Sequence, residues 1–174
     1  MPAWKNYNKL EISGSMLVPG FSIYLMEVQR GDELPYYYVG MTGDPHYPSA
    51  RAAFHRIAGH LELREASTQN QLHKAMRDKM NVTDEDIANL RITMHHFPVD
   101  GFEKYQGDLG TINKTCDAYT SYKAKQQKVS RLEDTIIYRL KQKLGARALN
   151  KTEGADYDLN GYQQILDDVL KIVK

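Results

Sequence analysis

The sequence predicts a small α+β (α/β) domain with a three-stranded, largely antiparallel sheet flanked by helices. Two runs rich in β-branched and aromatic residues lie within 21–40 and flank a polar loop with Gly31-Asp32, the pattern of an antiparallel hairpin. A third run, 91–99, alternates well enough to be a strand, and helical periodicity separates and follows these runs. Three strands with helices around them favour one sheet covered by helices.

The length and composition fit a globular domain. A chain of 174 residues suits one domain, or one domain with appendages, and 26% charged with 41% hydrophobic residues is a globular composition. No run of about 18 apolar residues is present, so we expect no membrane span. The N-terminal stretch lacks an apolar signal core, and the single cysteine, Cys116, excludes an internal disulfide. Both observations favour a cytoplasmic location.

The chain divides into three parts. Residues 1–20 form an N-terminal arm that ends at the turn signal Pro19-Gly20. Residues 21–155 form the main domain. Residues 156–174 form a C-terminal region, in which an amphipathic helix over 161–173 is expected to pack on the same domain.

Two helices are predicted between the hairpin and the third strand. The loop 41–49 contains glycine, aspartate and two prolines, and Ser49 is the expected cap of a helix over 50–63. A second helix covers 67–80. The polar connection 82–90 follows it, and Thr83 with Asp86 is expected to start a short helical turn there.

A long irregular segment precedes the longest helix. Residues 100–118 are Gly-rich and polar without any period, and a loop of this length in a small domain is often functional. The helix over 118–144 follows, with Gly145 as its expected stop. Ala148-Leu149 is a candidate short strand.

Glu133 gives the strongest chemical signal because it lies among the apolar residues of the long helix. At roughly 100° per residue, those apolar residues span an arc of roughly 140°, and Glu133 projects near its middle while Asp134 projects to the polar side. A carboxylate there costs several kcal/mol unless it is paired or metal-bound. Two interpretations are therefore open: a metal ligand, or a glutamate at the rim paired to a buried arginine.

Tyr24 and Tyr38 lie one in each strand of the hairpin. Their separation of 14 residues places them on the same face if no bulge intervenes, and we expect that face to look toward Arg56 and Glu133. Taken alone, such tyrosines are usually packing residues with a bonded hydroxyl. Arg56 and His60 are four residues apart, so they share one flank of the first helix, which is also common on exposed helices.

Other types of site have little support. His55 and His73 do not complete a zinc set with His60, and the strand residues His95 and His96 point to opposite faces, so no zinc is expected. The glycine-rich nucleotide-binding patterns and a nucleophile elbow are also missing from the sequence.

Taken in order, these residues resemble the GIY-YIG nuclease family. Ser22-Ile23-Tyr24 and Tyr38-Val39-Gly40 stand where the family has its two name-giving tripeptides, with Ser22 in place of the first glycine. The remaining matches are Arg56 with His60 in RIAGH, Glu133 in RLEDTIIYRL and Asn150 in ALNKTEG. These five elements keep the family's order over residues 21–154, and the loops between them are longer than the common pattern.

The resemblance implies an endodeoxyribonuclease, with residues 21–155 as its nuclease domain. Such an enzyme hydrolyses DNA phosphodiesters to 5′-phosphate and 3′-hydroxyl ends. Glu133 would hold one Mg²⁺, with Mn²⁺ as a substitute, and Arg56 would hold a nonbridging phosphate oxygen. Tyr24 would act as the general base or orient the attacking water. A free phenol, with a pKa near 10, is a poor base at pH 7, so this role needs a nearby cation, either Arg56 or the metal.

Three further roles follow from the same resemblance. Tyr38 would position water or phosphate, His60 would relay a proton or bind phosphate, and Asn150 would fix the geometry of the site.

Charge is unevenly distributed, although the net charge is only +1. Eight Lys/Arg lie within 121–147, and five acidic residues without any Lys/Arg lie within 153–168. A basic stretch of this kind is either a solvated helix face or a path for a DNA backbone. The residues expected to contact double-stranded DNA are Lys123, Lys125, Lys128 and Arg131.

A restriction-type (type II) enzyme is the member of the family that best fits this chain. No separate DNA-binding module is visible, so specificity would come from loops of the nuclease domain. A double-strand cut would then need a homodimer or sequential nicking, in a bacterial, archaeal or phage-infected cell. The alternatives are a structure-specific, repair-like or homing-type nuclease, and a non-catalytic DNA-binding module on the same fold.

Overall fold

A computed structural model describes residues 10–64, 67–99 and 111–174. A short 3-10 helix, Gly14–Leu17, precedes the sheet, and another, Gly145–Arg147, follows the longest helix. The strands are β1 (Ser22–Arg30), β2 (Tyr36–Met41) and β3 (Leu90–Pro98). The helices are α1 (Ala53–His60), α2 (Gln71–Met80), α3 (Asp84–Ile87), α4 (Asp117–Leu144) and α5 (Gln163–Ile172).

The sheet is antiparallel, and β1 is its central strand, with the order β2-β1-β3. The pairing of β1 with β2 runs without interruption from Ile23–Met41 to Val28–Tyr36, so no bulge intervenes and Tyr24 faces Gly40. The predicted α+β class and three-stranded antiparallel sheet are therefore confirmed. Because side chains alternate along a strand, Tyr24 and Tyr38 lie on one face, as their spacing predicts.

Each face of the sheet supports its own hydrophobic cluster. On one face, Ile23, Leu25 and Val39 pack against α4 and α5. On the other, Tyr24, Tyr38 and Met26 pack against α1 and α2. The short first helices and the long fourth helix therefore lie on opposite sides of the sheet.

The first helix is shorter than the sequence predicts. It begins at Ala53 instead of Ala50, and Ala52 occupies the N-cap position without a side-chain hydrogen bond. Ser49 is not the cap, because its backbone closes the preceding loop: its carbonyl accepts from the Asp44 N–H at 2.8 Å, and its own N–H donates to the Tyr47 carbonyl at 2.7 Å. The second helix likewise begins four residues late, at Gln71.

The other predicted helices are close to their expected bounds. The short turn α3 has the expected capping box between Thr83 and Asp86. The helix α4 ends at Gly145, whose positive φ of 58° suits a glycine stop. Of the segment predicted to be irregular, 100–110 lies outside the described residues, and 117–118 already belong to α4. Residues 1–9 of the N-terminal arm also lie outside the described part.

The segment Ala148–Asn150 runs beside the free edge of β2. Ala148 forms a parallel bridge with Tyr37, and the Leu149 N–H donates to the Tyr37 carbonyl at 2.7 Å. The predicted short strand is therefore present as a single bridge. Within the described ranges, none of the helices has the length and apolar character that a membrane span requires.

Candidate active site

Tyr24 occupies a slot that only glycine at position 40 leaves open. A Cβ added to Gly40 would lie 2.2 Å from the Tyr24 hydroxyl oxygen and 2.3 Å from the ring carbon that carries it. The Tyr24 ring therefore crosses the β2 backbone in direct contact. This close approach gives a physical reason for a glycine two residues after Tyr38.

His60 lies between the two tyrosines. It is buried in the last turn of α1, with its ring centroid 5.7 Å from that of Tyr24 and 5.1 Å from that of Tyr38. The Tyr24 hydroxyl and His60 Nε2 are 2.6 Å apart, a short hydrogen bond. The spacing predicted only that His60 would share a helix flank with Arg56, and the contact with Tyr24 is new.

The pKa values of Tyr24 and His60 determine which of the two donates this hydrogen bond. Burial, and secondly the positive charge of Arg56, lower the pKa of His60 to about 4, so the imidazole is neutral at pH 7. Burial also raises the pKa of Tyr24 well above its ordinary value. We therefore assign the Tyr24 hydroxyl as donor and His60 Nε2 as acceptor, with the histidine proton on Nδ1. That Nδ1 atom is buried and has no hydrogen-bond partner within the described ranges.

Arg56 is the cation of this site. It lies one turn before His60, and its charge lowers the pKa of both Tyr24 and Tyr38, against the larger opposing effect of burial. In the described part of the chain, it forms no ion pair with a carboxylate. Its guanidinium charge is therefore available to an anionic ligand.

Glu133 lies at the free edge of β2, and its charge acts on the two tyrosines from there. Its helix packs on the opposite face of the sheet, which corrects the expectation that the tyrosine face looks directly toward it. The segment Ala148–Asn150 covers the edge of β2 up to Val39. Beyond that point, the Met41 backbone forms a hydrogen bond with Glu133. Its charge then raises the pKa of both Tyr24 and Tyr38.

The Glu133 carboxyl has a strongly perturbed pKa. Burial, and secondly the charge of Asp134, raise its pKa to about 8, while Arg56 and the Met41 N–H partly oppose this shift. The side chain is nevertheless half-buried and lines an open cleft of about 220 Å³ with Tyr38 and Asn150. Burial and a like charge one residue away both disfavour the ionised carboxyl.

The two interpretations of Glu133 therefore stay open. No ion pair joins it to an arginine in the described ranges, although Arg56 lies near enough for its charge to act on the carboxyl. A carboxylate that lines an open cleft can hold a single Mg²⁺, which takes oxygen ligands and keeps several waters. No group of three or more His, Cys, Asp or Glu suited to a metal ion is found in the parts of the chain that the structure describes.

Asn150 lines the cleft, but its side-chain amide is hydrogen-bonded to the backbone of β2. Its Oδ1 accepts from the Val39 N–H at 2.9 Å, and its Nδ2 donates to the Val39 carbonyl at 2.7 Å. Asn150 thus clamps β2 between Tyr38 and Gly40. These bonds fix the backbone between the two site positions of β2, while the catalytic role that the resemblance implies for Asn150 stays a prediction.

Lys79 helps to hold the Asn150 segment in place, and sequence reasoning missed it. Its Nζ donates to the carbonyls of Ala148 and Asn150, at 2.9 and 3.0 Å. It therefore ties α2 to the segment that holds the clamp. Nothing in the sequence marks it, because the partners lie 69 and 71 residues away.

The basic residues of α4 divide into two groups. In the C-terminal half, Arg139 pairs with Asp156 at 2.7 Å and Lys141 pairs with Glu153 at 2.5 Å. Lys143, and Arg147 in the 3-10 helix that follows α4, donate to backbone carbonyls. The acidic segment that follows the helix therefore pairs with two of these four basic residues.

The four residues predicted to contact DNA lie between Lys123 and Arg131 of α4 and are not equivalent. Lys123 Nζ donates to the Pro45 carbonyl at 3.0 Å, beside the loop before α1. Lys125 is half-buried and Lys128 is exposed. Arg131 lies over the ring of Tyr157, 5.7 Å from its centroid, so it contacts the C-terminal segment.

Comparison with protein-family models, curated proteins and solved structures finds no match to this chain. The resemblance to the GIY-YIG nucleases therefore depends on the residues and the geometry described above.

Proposed function

We propose that this protein is a metal-dependent endodeoxyribonuclease of the GIY-YIG type. One observation carries the proposal: Tyr24, Tyr38, Arg56, His60 and Glu133 come together from β1, β2, α1 and α4. Tyr24 is hydrogen-bonded to His60, Tyr38 and Glu133 line one cleft, and the charges of Arg56 and Glu133 act on the pKa of both buried tyrosines. Perturbed titratable groups that converge beside a cleft are typical of catalytic sites. Their order along the chain also matches the family.

The hydrogen bond between Tyr24 and His60 supports a specific route for the proton of the attacking water. The raised pKa of Tyr24 makes a resting phenolate unfavourable at pH 7. Neutral His60 can instead accept the Tyr24 proton at Nε2 while the Tyr24 oxygen takes one from water. The pair thus acts as a general base without a free tyrosinate, and the imidazolium later returns its Nε2 proton to the Tyr24 oxygen, which passes one to water.

Arg56 and Tyr38 complete the site on the α1 side. The guanidinium of Arg56, which hydrogen-bonds to the Tyr24 side chain, would hold a nonbridging oxygen of the scissile phosphate through its remaining donors. Tyr38, which lines the cleft beside Glu133, would orient the phosphate or the water. Positioning of this kind accounts for much of the catalysis in reactions of phosphate esters.

Glu133 would hold the divalent cation, Mg²⁺ or Mn²⁺. When bound, the cation stabilises negative charge on the leaving 3′ oxygen and on the phosphate. Proton loss from Glu133 and cation binding are coupled, since a nearby cation offsets the burial that disfavours the carboxylate. We therefore expect tighter Mg²⁺ binding at pH 8 than at pH 6.

A restriction-type enzyme that acts on double-stranded DNA is the form of this function that we propose. Its specificity would come from the loops around the site, and two copies or two sequential nicks would complete a double-strand cut. A repair-like or structure-specific nuclease would cut branched DNA better than linear duplex, and a homing-type member would need an additional DNA-binding module. A non-catalytic module would bind DNA without cutting it.

Plasmid cleavage tests the proposal. The natural chain should linearise or nick supercoiled DNA in Mg²⁺ and leave it intact in EDTA, whereas Glu133→Ala should lose at least about 10³-fold in rate. Glu85→Ala, at an exposed position of α3, is the matched control and should cut normally. Discrete bands from a large DNA would support a restriction enzyme. Equal cutting by Glu133→Ala would refute the metal assignment.

A further inference from the structure

A second recess lies next to Arg56, and Glu133 is not among its lining residues. It has a volume of about 50 Å³ and is lined by Gly43, Asp44, Pro45, Ser49, Arg51 and Arg56. Arg56 is therefore shared between this recess and the tyrosine site. This volume is enough to admit the oxygens of an anion.

The loop that forms one wall is held in place by its own backbone. The Asp44 side chain accepts from the N–H groups of His46 and Tyr47, at 2.7 and 3.0 Å. The Asp44 N–H donates to the Ser49 carbonyl at 2.8 Å, which closes the loop. One Asp44 carboxylate oxygen is therefore occupied inside the loop.

The helix α4 anchors the same loop from outside. The Tyr122 hydroxyl lies 2.8 Å from the carbonyl oxygens of both Asp44 and Ser49. Lys123 Nζ donates to the Pro45 carbonyl at 3.0 Å, which brings a positive charge to this wall of the recess. The recess is thus built by tertiary contacts between residues more than 70 positions apart.

The opposite wall carries the two guanidinium groups. Arg51 is exposed, and its Nη1 lies 3.5 Å from His55 Nε2, at the limit of a hydrogen bond. In the described ranges, neither Arg51 nor Arg56 forms an ion pair with a carboxylate. Two arginines against the single Asp44 carboxylate leave the recess positively charged, which favours an anion with several oxygens.

We propose that this recess binds a DNA backbone phosphate adjacent to the scissile one, with Arg51 as a positioning residue. The inference rests on the proposed function, because it names the substrate group next to the one that Arg56 holds. Since Arg56 borders both places, two consecutive phosphates of one strand would lie on either side of it. Among the contacts of the described residues, Arg51 has none with Tyr24, Tyr38 or Glu133, so its role is to fix the register of the strand.

Salt dependence of DNA binding tests this role directly. Binding is measured with Ca²⁺ in place of Mg²⁺, from about 50 to about 200 mM salt, using a duplex that the natural chain cleaves. Loss of one phosphate contact should lower the slope of log K against log salt by about 0.9 in magnitude. We expect this change for Arg51→Ala and also for Arg51→Gln, which keeps a polar side chain of similar reach. Arg51→Lys should retain most of the slope.

The control is Arg91→Ala, an exposed arginine of β3 that donates to the Gln29 side chain and should leave the slope unchanged. If the natural chain cleaves DNA but both neutral Arg51 variants keep its slope, this inference fails and the proposed function stands. If the natural chain neither binds nor cleaves DNA, both fail together.

Discussion

The two layers of helices on this sheet surround different kinds of polar group. Under α4, the buried Gln126 and Thr135 side chains are hydrogen-bonded, to Lys123 and to the Tyr157 N–H. Beside α1, the titratable side chains of Tyr24 and His60 are buried against each other, and His60 Nδ1 has no hydrogen-bond partner among the described residues. Burial of titratable groups costs free energy and is common at functional sites. We infer that the α4 face mainly stabilises the fold and that the α1 face carries the proposed chemistry.

Two neighbouring tyrosines of β2 show the same contrast. Tyr38 lies among His60, Tyr24 and the cleft, and Glu133 raises its pKa. Tyr37 points to the other face, where its hydroxyl accepts from the backbone N–H of Lys174 at 3.2 Å. Alternation along one strand therefore gives adjacent residues of the same type different surroundings.

The largest effect is expected when the Tyr24 hydroxyl is removed. If Tyr24 passes a proton to His60, Tyr24→Phe should slow DNA cleavage by about 10²- to 10⁴-fold. Its unfolding free energy should change by only about 1 kcal/mol, the value of one hydrogen bond. Cleavage rates under single-turnover conditions and urea unfolding measure the two quantities.

Tyr37→Phe is the matched control for that substitution, since it also removes one hydroxyl from a buried tyrosine. It should cleave at the natural rate. Equal losses of activity in the two variants would contradict the division between the two faces.

A core substitution on the α4 side should have the opposite profile. Leu140 is fully buried against the sheet, so Leu140→Ala should lower the unfolding free energy by about 3 kcal/mol. The cleavage rate of the folded protein should stay within a few-fold of the natural value at a temperature well below the unfolding midpoint. A large loss of rate in protein shown to be folded by circular dichroism would mean that this layer also controls the chemistry.

A smaller effect should appear as a pH dependence of stability. The pKa of His60 is lowered to about 4 from 6.5, so below pH 6.5 the unfolded chain binds a proton that the folded chain excludes. Stability therefore falls as the pH drops toward 4, by about 2 kcal/mol between about pH 6 and about pH 4.5 from this residue alone.

The corresponding measurement is urea unfolding across that pH range. The fall should be smaller by this amount in His60→Gln than in the natural chain. His46→Gln, at an exposed position, should match the natural chain. Identical pH profiles for all three proteins would show that burial does not suppress the charge of His60.

Local sequence patterns were sufficient to predict the hairpin, the long helix and the common face of Tyr24 and Tyr38. The apolar arc also singled out Glu133. Each of these follows from periodicity or parity over short distances. The start of α1 at Ala53 was missed, because distant partners hold the loop before it, among them the Tyr122 hydroxyl.

Long-range pairing explains the other differences from the sequence-based expectations. The acidic segment after α4 neutralises Arg139 and Lys141. Only some of the basic residues within 121–147 therefore contribute to a basic surface. The position of Glu133 at the free edge of β2 depends on where the segment Ala148–Asn150 stops covering that strand. Neither contact leaves a pattern within a single element.

The central claim is that Arg56 and Glu133, on helices at opposite faces of the sheet, act on the same phosphate. Single-turnover cleavage by Arg56→Lys, Glu133→Asp and the double variant tests it, since both changes keep the charge and leave measurable activity. Residues that work as a unit lose rate non-additively, so the double variant should be at least about 10-fold faster than the product of the two losses predicts. Losses that multiply within error would contradict a single shared site.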